Sequence, residues 1–235
     1  MLYKDFSMLW PEIHAKVSVR YVNLVILPLA KIITFVLLKL KLTPNFISVL
    51  SSASLIIGAV IFMQTSSVVG YILFIILSQF SYILDHCDGA IARIKKTSSK
   101  FGALLDVALD RFNVLFLFIA VGMKTFSSAD YSYHQILYFC LAALIYNFYQ
   151  YVSSLQPHYF HELKGYMRND EDQSIVKKLV KIVYEFIDTG IMYLLIGLSL
   201  IFNFQYWLII FYGFIGAILV SGLFFILYRS EKSEG

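Results

Sequence analysis

The sequence predicts an all-α integral membrane protein: six transmembrane helices preceded by an N-terminal juxtamembrane or interfacial helix. Three observations carry this. Of 235 residues, 59% are hydrophobic and only 14% charged, with a mean hydropathy of +0.74; soluble domains run near a quarter charged. The apolar residues gather in runs close to the roughly 20 residues that cross a bilayer as a helix. The basic residues collect between alternate pairs of those runs rather than scattering.

Residues 1–45 read as the juxtamembrane segment. The run from Asn23 to Leu40 is apolar enough for a span, but Pro28 interrupts it and Lys31 sits near its middle. A transmembrane reading would give seven spans and put the N-terminus, with its basic residues, on the far side. An interfacial helix, with its lysines snorkelling from an embedded apolar face, keeps six spans and the charge bias and is the favoured reading. The six spans follow at about 46–64, 68–92, 103–123, 134–156, 178–202 and 205–228, so that residues 1–235 form a single domain with its bundle over 46–228. No Ala-x-Ala-like cleavage site follows an early apolar stretch, so no removable signal peptide is expected.

The loops around Gln64–Ser67, Lys124–Tyr133 and Phe202–Gln205 hold one lysine between them. Lys4, Lys16, Arg20, Lys31, Lys39 and Lys41 precede the first span; Arg93, Lys95, Lys96 and Lys100 follow the second; Lys164, Arg168 and Lys177 follow the fourth. The positive-inside rule therefore puts both termini and that whole side in the cytoplasm. The net charge of +4 belongs to this bias and calls for no nucleic-acid partner. Cys87 and Cys140 offer no framework of bridges and are expected as thiols.

Between the second and third spans the chain reads LDHCDGAIARIKKTSSKFGALLDVALDR. Asp85 and Asp88 lie three apart, and Asp106 and Asp110 four apart, so each pair shares a helix face. Thr97, Ser98 and Ser99 form a polar turn, one of them a candidate N-cap for the helix that follows. A helical hairpin then brings four carboxylates together. Like charges crowded at a membrane boundary repel, and hard divalent cations relieve that repulsion. Gly89 and Gly102 clear side chains from beside the carboxylates, and Arg93 offers a fork for phosphate. This is a pattern for metal-assisted phosphoryl transfer at the cytoplasmic face, on a lipid or lipid-bound nucleotide. Asp110, outermost of the four, is the candidate general base.

Single residues weigh less. One aspartate near a helix end is ordinarily a solvated or dipole-capping charge. His158, His161 and Glu162 have the wrong order for a zinc site and no cysteine near them. Lys95, Lys96 and Lys100 suit lipid headgroups, and Cys87 reads as packing. Gly58 and Gly70 suit close helix packing.

The pattern D-x2-D-G-x2-A-R-x8-G-x3-D-x3-D, filled by Asp85, Asp88, Gly89, Ala92, Arg93, Gly102, Asp106 and Asp110, resembles the signature of the CDP-alcohol phosphotransferases (CDP-alcohol phosphatidyltransferases). Leu42, Thr43, Pro44 and Asn45 look like that family's entry to its first span. The resemblance implies a two-metal site of Mg²⁺ or Mn²⁺ on Asp85, Asp88, Asp106 and Asp110, with Asp110 also the base. It implies a CDP-linked lipid donor, CDP-diacylglycerol foremost, against Thr43, Asn45, Gly89, Arg93, Ser99 and Gly102. A small alcohol would accept the phosphatidyl group and CMP would leave, in phospholipid biosynthesis by a homodimer in the bilayer.

For the acceptor, the run FGALLDVALDR lacks a proline after Asp106 and has Arg111 directly after Asp110, which resembles members acting on inositol or inositol phosphate. Arg111, Lys164 and Arg168 are the candidate acceptor contacts. The alternatives within the family are glycerol phosphate as acceptor, or transfer from CDP-choline or CDP-ethanolamine to a lipid hydroxyl. Outside it stand an intramembrane prenyltransferase, which lacks the G-x2-A-R element, and a transporter, which would place acids at mid-membrane and show repeats.

Overall fold

The computed structural model describes Phe6, Trp10 and residues 19–127, 130–155, 182–183 and 185–234, with side chains described up to residue 152 and again from 182 to 222 (Tyr184 excepted). All regular structure among them is helical. Helix α1 is Val22–Lys39, opening with a π turn over Val22–Ile26. The others are α2 (Pro44–Gln64), α3 (Val68–Lys95), α4 (Lys100–Ser127), α5 (Tyr133–Leu155), α6 (Thr189–Phe202) and α7 (Gln205–Glu234). Among the described residues, four stretches are long and apolar enough to cross a membrane: Val22–Lys39, Pro44–Gln64, Val68–Lys95 and Gln205–Gly222. Helices α4 and α5 have the length, at 28 and 23 residues, but carry more polar side chains.

The boundaries follow local chemistry. Thr43 caps α2 by accepting from the Phe46 amide, and Pro44 occupies the first turn, where its missing N–H costs nothing. Ser67 caps α3 in the same way through Gly70. Helices α1, α3 and α6 all end on a left-handed residue: Lys41, Lys96 and Asn203, each with φ between 54° and 58°. In each case the next amide reaches back to a carbonyl five residues earlier, as Thr97 does to Ala92 at 3.0 Å.

Pro28, which interrupts the apolar run in sequence, stands in the first turn of the α-helical part of α1. One stripe of α1 is buried (Val22, Ile26, Ala30, Thr34, Leu37) and the other exposes Leu24, Leu29, Ile32 and Val36. The Tyr21 hydroxyl donates to Gln79, the Cys87 thiol reaches the Ala30 carbonyl at 3.5 Å, and Lys95 reaches the Leu42 carbonyl at 2.7 Å. Helix α1 therefore runs beside the second half of α3, in the same direction. Lys95 serves here as a tie between α3 and the entry to α2.

Helix α2 packs along α3 and also touches α4; α5 packs along α7; α6 lies against α3. The buried face of α2 changes character along its length. Ser48, Ser51, Ser52 and Ser54 come first, then Leu55, Gly58, Ala59 and Phe62. The apolar end joins Phe74, Leu117, Phe118 and Tyr146 in a core shared by α2 through α7. The polar end faces the aspartates.

The sequence expectation of one uninterrupted span over 178–202 gives way to a break at Ile187–Asp188. Side chains from three helices donate to carbonyls around the break. Tyr146 donates to the Ile187 carbonyl at 3.2 Å, Tyr212 to that of Phe186 at 3.0 Å, and Gln79 to that of Gly190 at 2.9 Å. Asp188 accepts from the Gly190 and Ile191 amides and from the Tyr82 hydroxyl. Such a break is tolerated in a membrane only when it is satisfied this fully.

Helices α5 and α7 meet through Gly213, where an added Cβ would lie 2.4 Å from Ala142 Cβ and 2.5 Å from its Cα. Backbone stands in the way, so Gly213→Leu must push the helices apart. Overpacking of this kind costs about 1–3 kcal/mol. The melting temperature of the detergent-solubilised variant should fall by several degrees, and an unchanged melting curve would refute this packing.

Candidate active site

The hairpin of α3 and α4 delivers the carboxylates. Lys96 ends α3 in its left-handed turn, Ser99 accepts from the Gly102 amide at 3.0 Å, and α4 starts immediately. The expected N-cap in the Thr97–Ser99 turn is thus Ser99. One carboxylate oxygen from each of Asp85, Asp88 and Asp106 lies within 4.8 Å of the others. Asp88 is 5% exposed; Asp85 and Asp106 are partly exposed. Three carboxylates at this spacing form an all-oxygen donor set of the kind Mg²⁺ and Mn²⁺ take, so the residues fit such an ion.

Asp110 does not complete that triad. It lies one turn further along α4 and shares a cavity of about 20 Å³ with Asp85. Its Oδ2 is 4.0 Å from Arg111 Nη2. Arg111 is held from α5: Nη1 donates to Gln150 Oε1 at 2.7 Å, and Gln150 donates in turn to the Tyr146 hydroxyl at 2.8 Å. Asn147 donates to the Arg111 carbonyl at 3.4 Å.

A cleft of about 150 Å³ opens between the start of α2, the end of α3 and the start of α4. Asn45, Gly89, Arg93, Ser99 and Gly102 line it, with Asp88 and Asp106 at its wall. Five of the six residues expected around the donor are therefore gathered in one place. Thr43, the sixth, is spent on capping α2 and is not among the lining residues. The two motif glycines have a visible purpose. A Cβ at Gly89 would sit 3.2 Å from the Arg93 guanidinium, and one at Gly102 would sit 3.2 Å from Asn45 Oδ1. Lys164 and Arg168 fall outside the described residues, as do His158, His161 and Glu162.

Several polar side chains at the site belong to no motif in the sequence. Ser48 donates to Asp88 Oδ2 at 2.6 Å, Ser51 to the Ser81 carbonyl at 2.8 Å, and Ser52 to Asn113 Oδ1 at 2.6 Å. Their spacing was the available signal. Positions 48, 51 and 52 share one face of a helix that begins at Pro44. Tyr82, Thr189 and Tyr193, beside Asp85 and Asp110, gave none.

Comparison with known proteins agrees with this geometry. The family model described as CDP-alcohol phosphatidyltransferase matches residues 41–219. A curated protein of Archaeoglobus fulgidus (strain ATCC 49558 / DSM 4304 / JCM 9628 / NBRC 100126 / VC-16), named "Bifunctional IPC transferase and DIPP synthase", is 43% identical over 81 residues, which cover 34% of this chain. The match spans 15% of that relative's own length.

Ser48 donates to one oxygen of Asp88 and so fixes the rotation of a triad carboxylate. Ser48→Ala should weaken Mn²⁺ binding by roughly ten- to a hundredfold, the usual cost of losing such a supporting contact. Titration calorimetry checks this, and an unchanged affinity would separate Ser48 from the triad. Taken with the hairpin, the carboxylate triad and the motif-lined cleft, the match over residues 41–219 makes this multi-pass membrane protein a member of the CDP-alcohol phosphatidyltransferase family.

Proposed function

We propose that this protein transfers a phosphatidyl group from CDP-diacylglycerol to inositol or inositol phosphate and releases CMP. The observation that carries the reading is the single cleft in which Asn45, Gly89, Arg93, Ser99 and Gly102 meet two of the triad carboxylates. The cytidine diphosphate lies in that cleft. Arg93 binds its phosphate, and Gly89 and Gly102 keep the walls low enough for the backbone to approach it. Thr43, at the head of α2, holds the first turn that carries Asn45.

Asp85, Asp88 and Asp106 hold the divalent ions, with Asp110 within reach as a further ligand to a second one. When bound, Mg²⁺ or Mn²⁺ neutralises charge on the diphosphate and on its leaving oxygen. Asp110 acts as general base. The attacking hydroxyl gives its proton to the Asp110 carboxylate while its oxygen bonds to the lipid-side phosphorus. The phosphoanhydride P–O bond breaks, and CMP leaves with the electron pair. Arg111 stands next to Asp110, tied to Gln150, where its charge steadies the carboxylate and is near an acceptor's phosphate. Lys164 and Arg168 are the further cations we assign to that acceptor. The inositol reading rests on Arg111 and on the absence of proline after Asp106.

The same proposal keeps six spans in a single domain over residues 1–235, with the site and both termini cytoplasmic, and a homodimer in the bilayer. Lys95, Lys96 and Lys100 beside the cleft support that side. Helix α1 is kept as the juxtamembrane helix on the ground of Pro28 and Lys31 within its apolar run.

The test is CMP release in detergent from CDP-diacylglycerol with Mn²⁺ or Mg²⁺. The acceptor panel is inositol, inositol phosphate, glycerol phosphate, serine and amino alcohols. Metal-dependent release with inositol or its phosphate is expected. Asp110→Asn should lower kcat by about 10²–10⁴-fold, the range for a lost general base. Release with glycerol phosphate alone would replace the acceptor, and release only from CDP-choline or CDP-ethanolamine would replace the donor.

A further inference from the structure

The cavity between Asp85 and Asp110 shares no lining residue with the nucleotide cleft, and no motif residue besides the two aspartates lines it. Its wall includes Ser81, Tyr82, Thr189 and Tyr193. At about 20 Å³ it has room for one water-sized group and no more. A whole alcohol does not fit, but one hydroxyl does.

Most of its polar lining is already engaged. Ser81 pairs with Ser51, Tyr82 donates to Asp188, and Asn113 accepts from Ser52. The hydroxyls of Thr189 and Tyr193 are different, and Tyr193 is the more deeply held of the two. It is 3% exposed, its ring is part of the apolar core of the bundle, and its hydroxyl has no hydrogen-bond partner among the described residues. A phenol that lines a small cavity and has no protein partner is open to a water or a substrate hydroxyl there.

The surroundings hold Tyr193 in place. It lies one turn beyond Thr189, on the same face of α6, and α6 begins at the satisfied break around Asp188. Tyr82 and Gln79 of α3 lock that start to the helix that carries Asp85. Helix α6 therefore has little freedom to move its first two turns away from the aspartates.

We infer that Tyr193 is a substrate-contacting residue, its hydroxyl holding the attacking hydroxyl of the alcohol acceptor against Asp110. This rests on the transfer reading above. The attacking oxygen has one proton and two lone pairs. Asp110 takes the proton, one lone pair forms the bond to phosphorus, and the Tyr193 O–H donates to the other. Every valence of the oxygen is then used, and the narrow cavity admits only an unhindered hydroxyl.

The test compares Tyr193→Phe with the wild type, since the substitution keeps the ring and removes only the oxygen. Acceptor-dependent CMP release should show kcat/KM for the acceptor lower by roughly ten- to a hundredfold, the value of one buried hydrogen bond to a reacting group. Calorimetric binding of CDP in Mn²⁺ should be unchanged. Wild-type kcat/KM in the variant would overturn the inference, and so would a parallel loss of CDP binding, which marks a merely structural role. If the wild type itself releases no CMP from any donor, the transfer reading fails first. The inference is then decided by a high-resolution map of the wild type: a water or hydroxyl on Tyr193 Oη inside the cavity supports a hydroxyl subsite, and an empty cavity refutes it.

Discussion

Mutual repulsion among the carboxylates of α3 and α4 is the constraint on which the rest of this structure depends. Three carboxylate oxygens lie within 4.8 Å of one another, with Asp110 a turn away, at the end of a bundle that is otherwise apolar. Such a cluster is unstable unless something positive or hydrogen-donating meets it. The protein answers from several directions. Ser48 donates from α2, Arg111 lies beside Asp110 under the control of α5, and Arg93 reaches the cleft from the end of α3. What these donors leave uncompensated is the reason a divalent ion is favoured there.

The same division of labour explains the polarity gradient along the helices. Away from the site, α2 buries Leu55, Ala59 and Phe62 against Phe74 and Phe118, and packing alone suffices. Toward the site its serines exchange hydrogen bonds with α3 and α4. The break in α6 continues this logic on the far side of Asp85. By spending Tyr146, Tyr212, Gln79 and Asp188 on backbone groups, the bundle brings a helix start close to the aspartates without leaving open polar groups in the membrane. The site is thereby bounded by α2, α3, α4 and α6, with α5 and α1 bracing it from outside.

What could be read from the sequence was whatever lay within one local stretch. The spacing from Asp85 to Asp110 brought three of the four carboxylates together and left Asp110 a turn away. The polar turn offered three candidate caps of which Ser99 serves, and Gly89, Arg93 and Gly102 fell in the cleft with Asp88 and Asp106. All these positions sit on two helices joined by a turn of a few residues, where helical geometry alone decides who meets whom. Tyr193 stands on another helix, far along the chain from the aspartates, and nothing in the sequence pairs it with them. Ser48 shares a helix face with Ser51 and Ser52, but that spacing does not say what the face meets. The break at Asp188 was hidden for another reason. The flanking residues are as apolar as any span, and only the tyrosines of α5 and α7 make a cap there affordable. Thr43 shows the converse: its place beside the cleft was legible, but its hydroxyl serves the backbone of α2.

The central claim is that the triad and the adjoining cleft form one site for a divalent ion and a cytidine diphosphate. Anomalous diffraction at the manganese edge, from crystals grown with Mn²⁺ and CDP, tests it most directly. The account predicts manganese peaks among the carboxylates of Asp85, Asp88 and Asp106, with the nucleotide lying between Asn45 and Arg93 and its diphosphate against the ions. Manganese elsewhere, or a nucleotide bound away from this cleft, would contradict it.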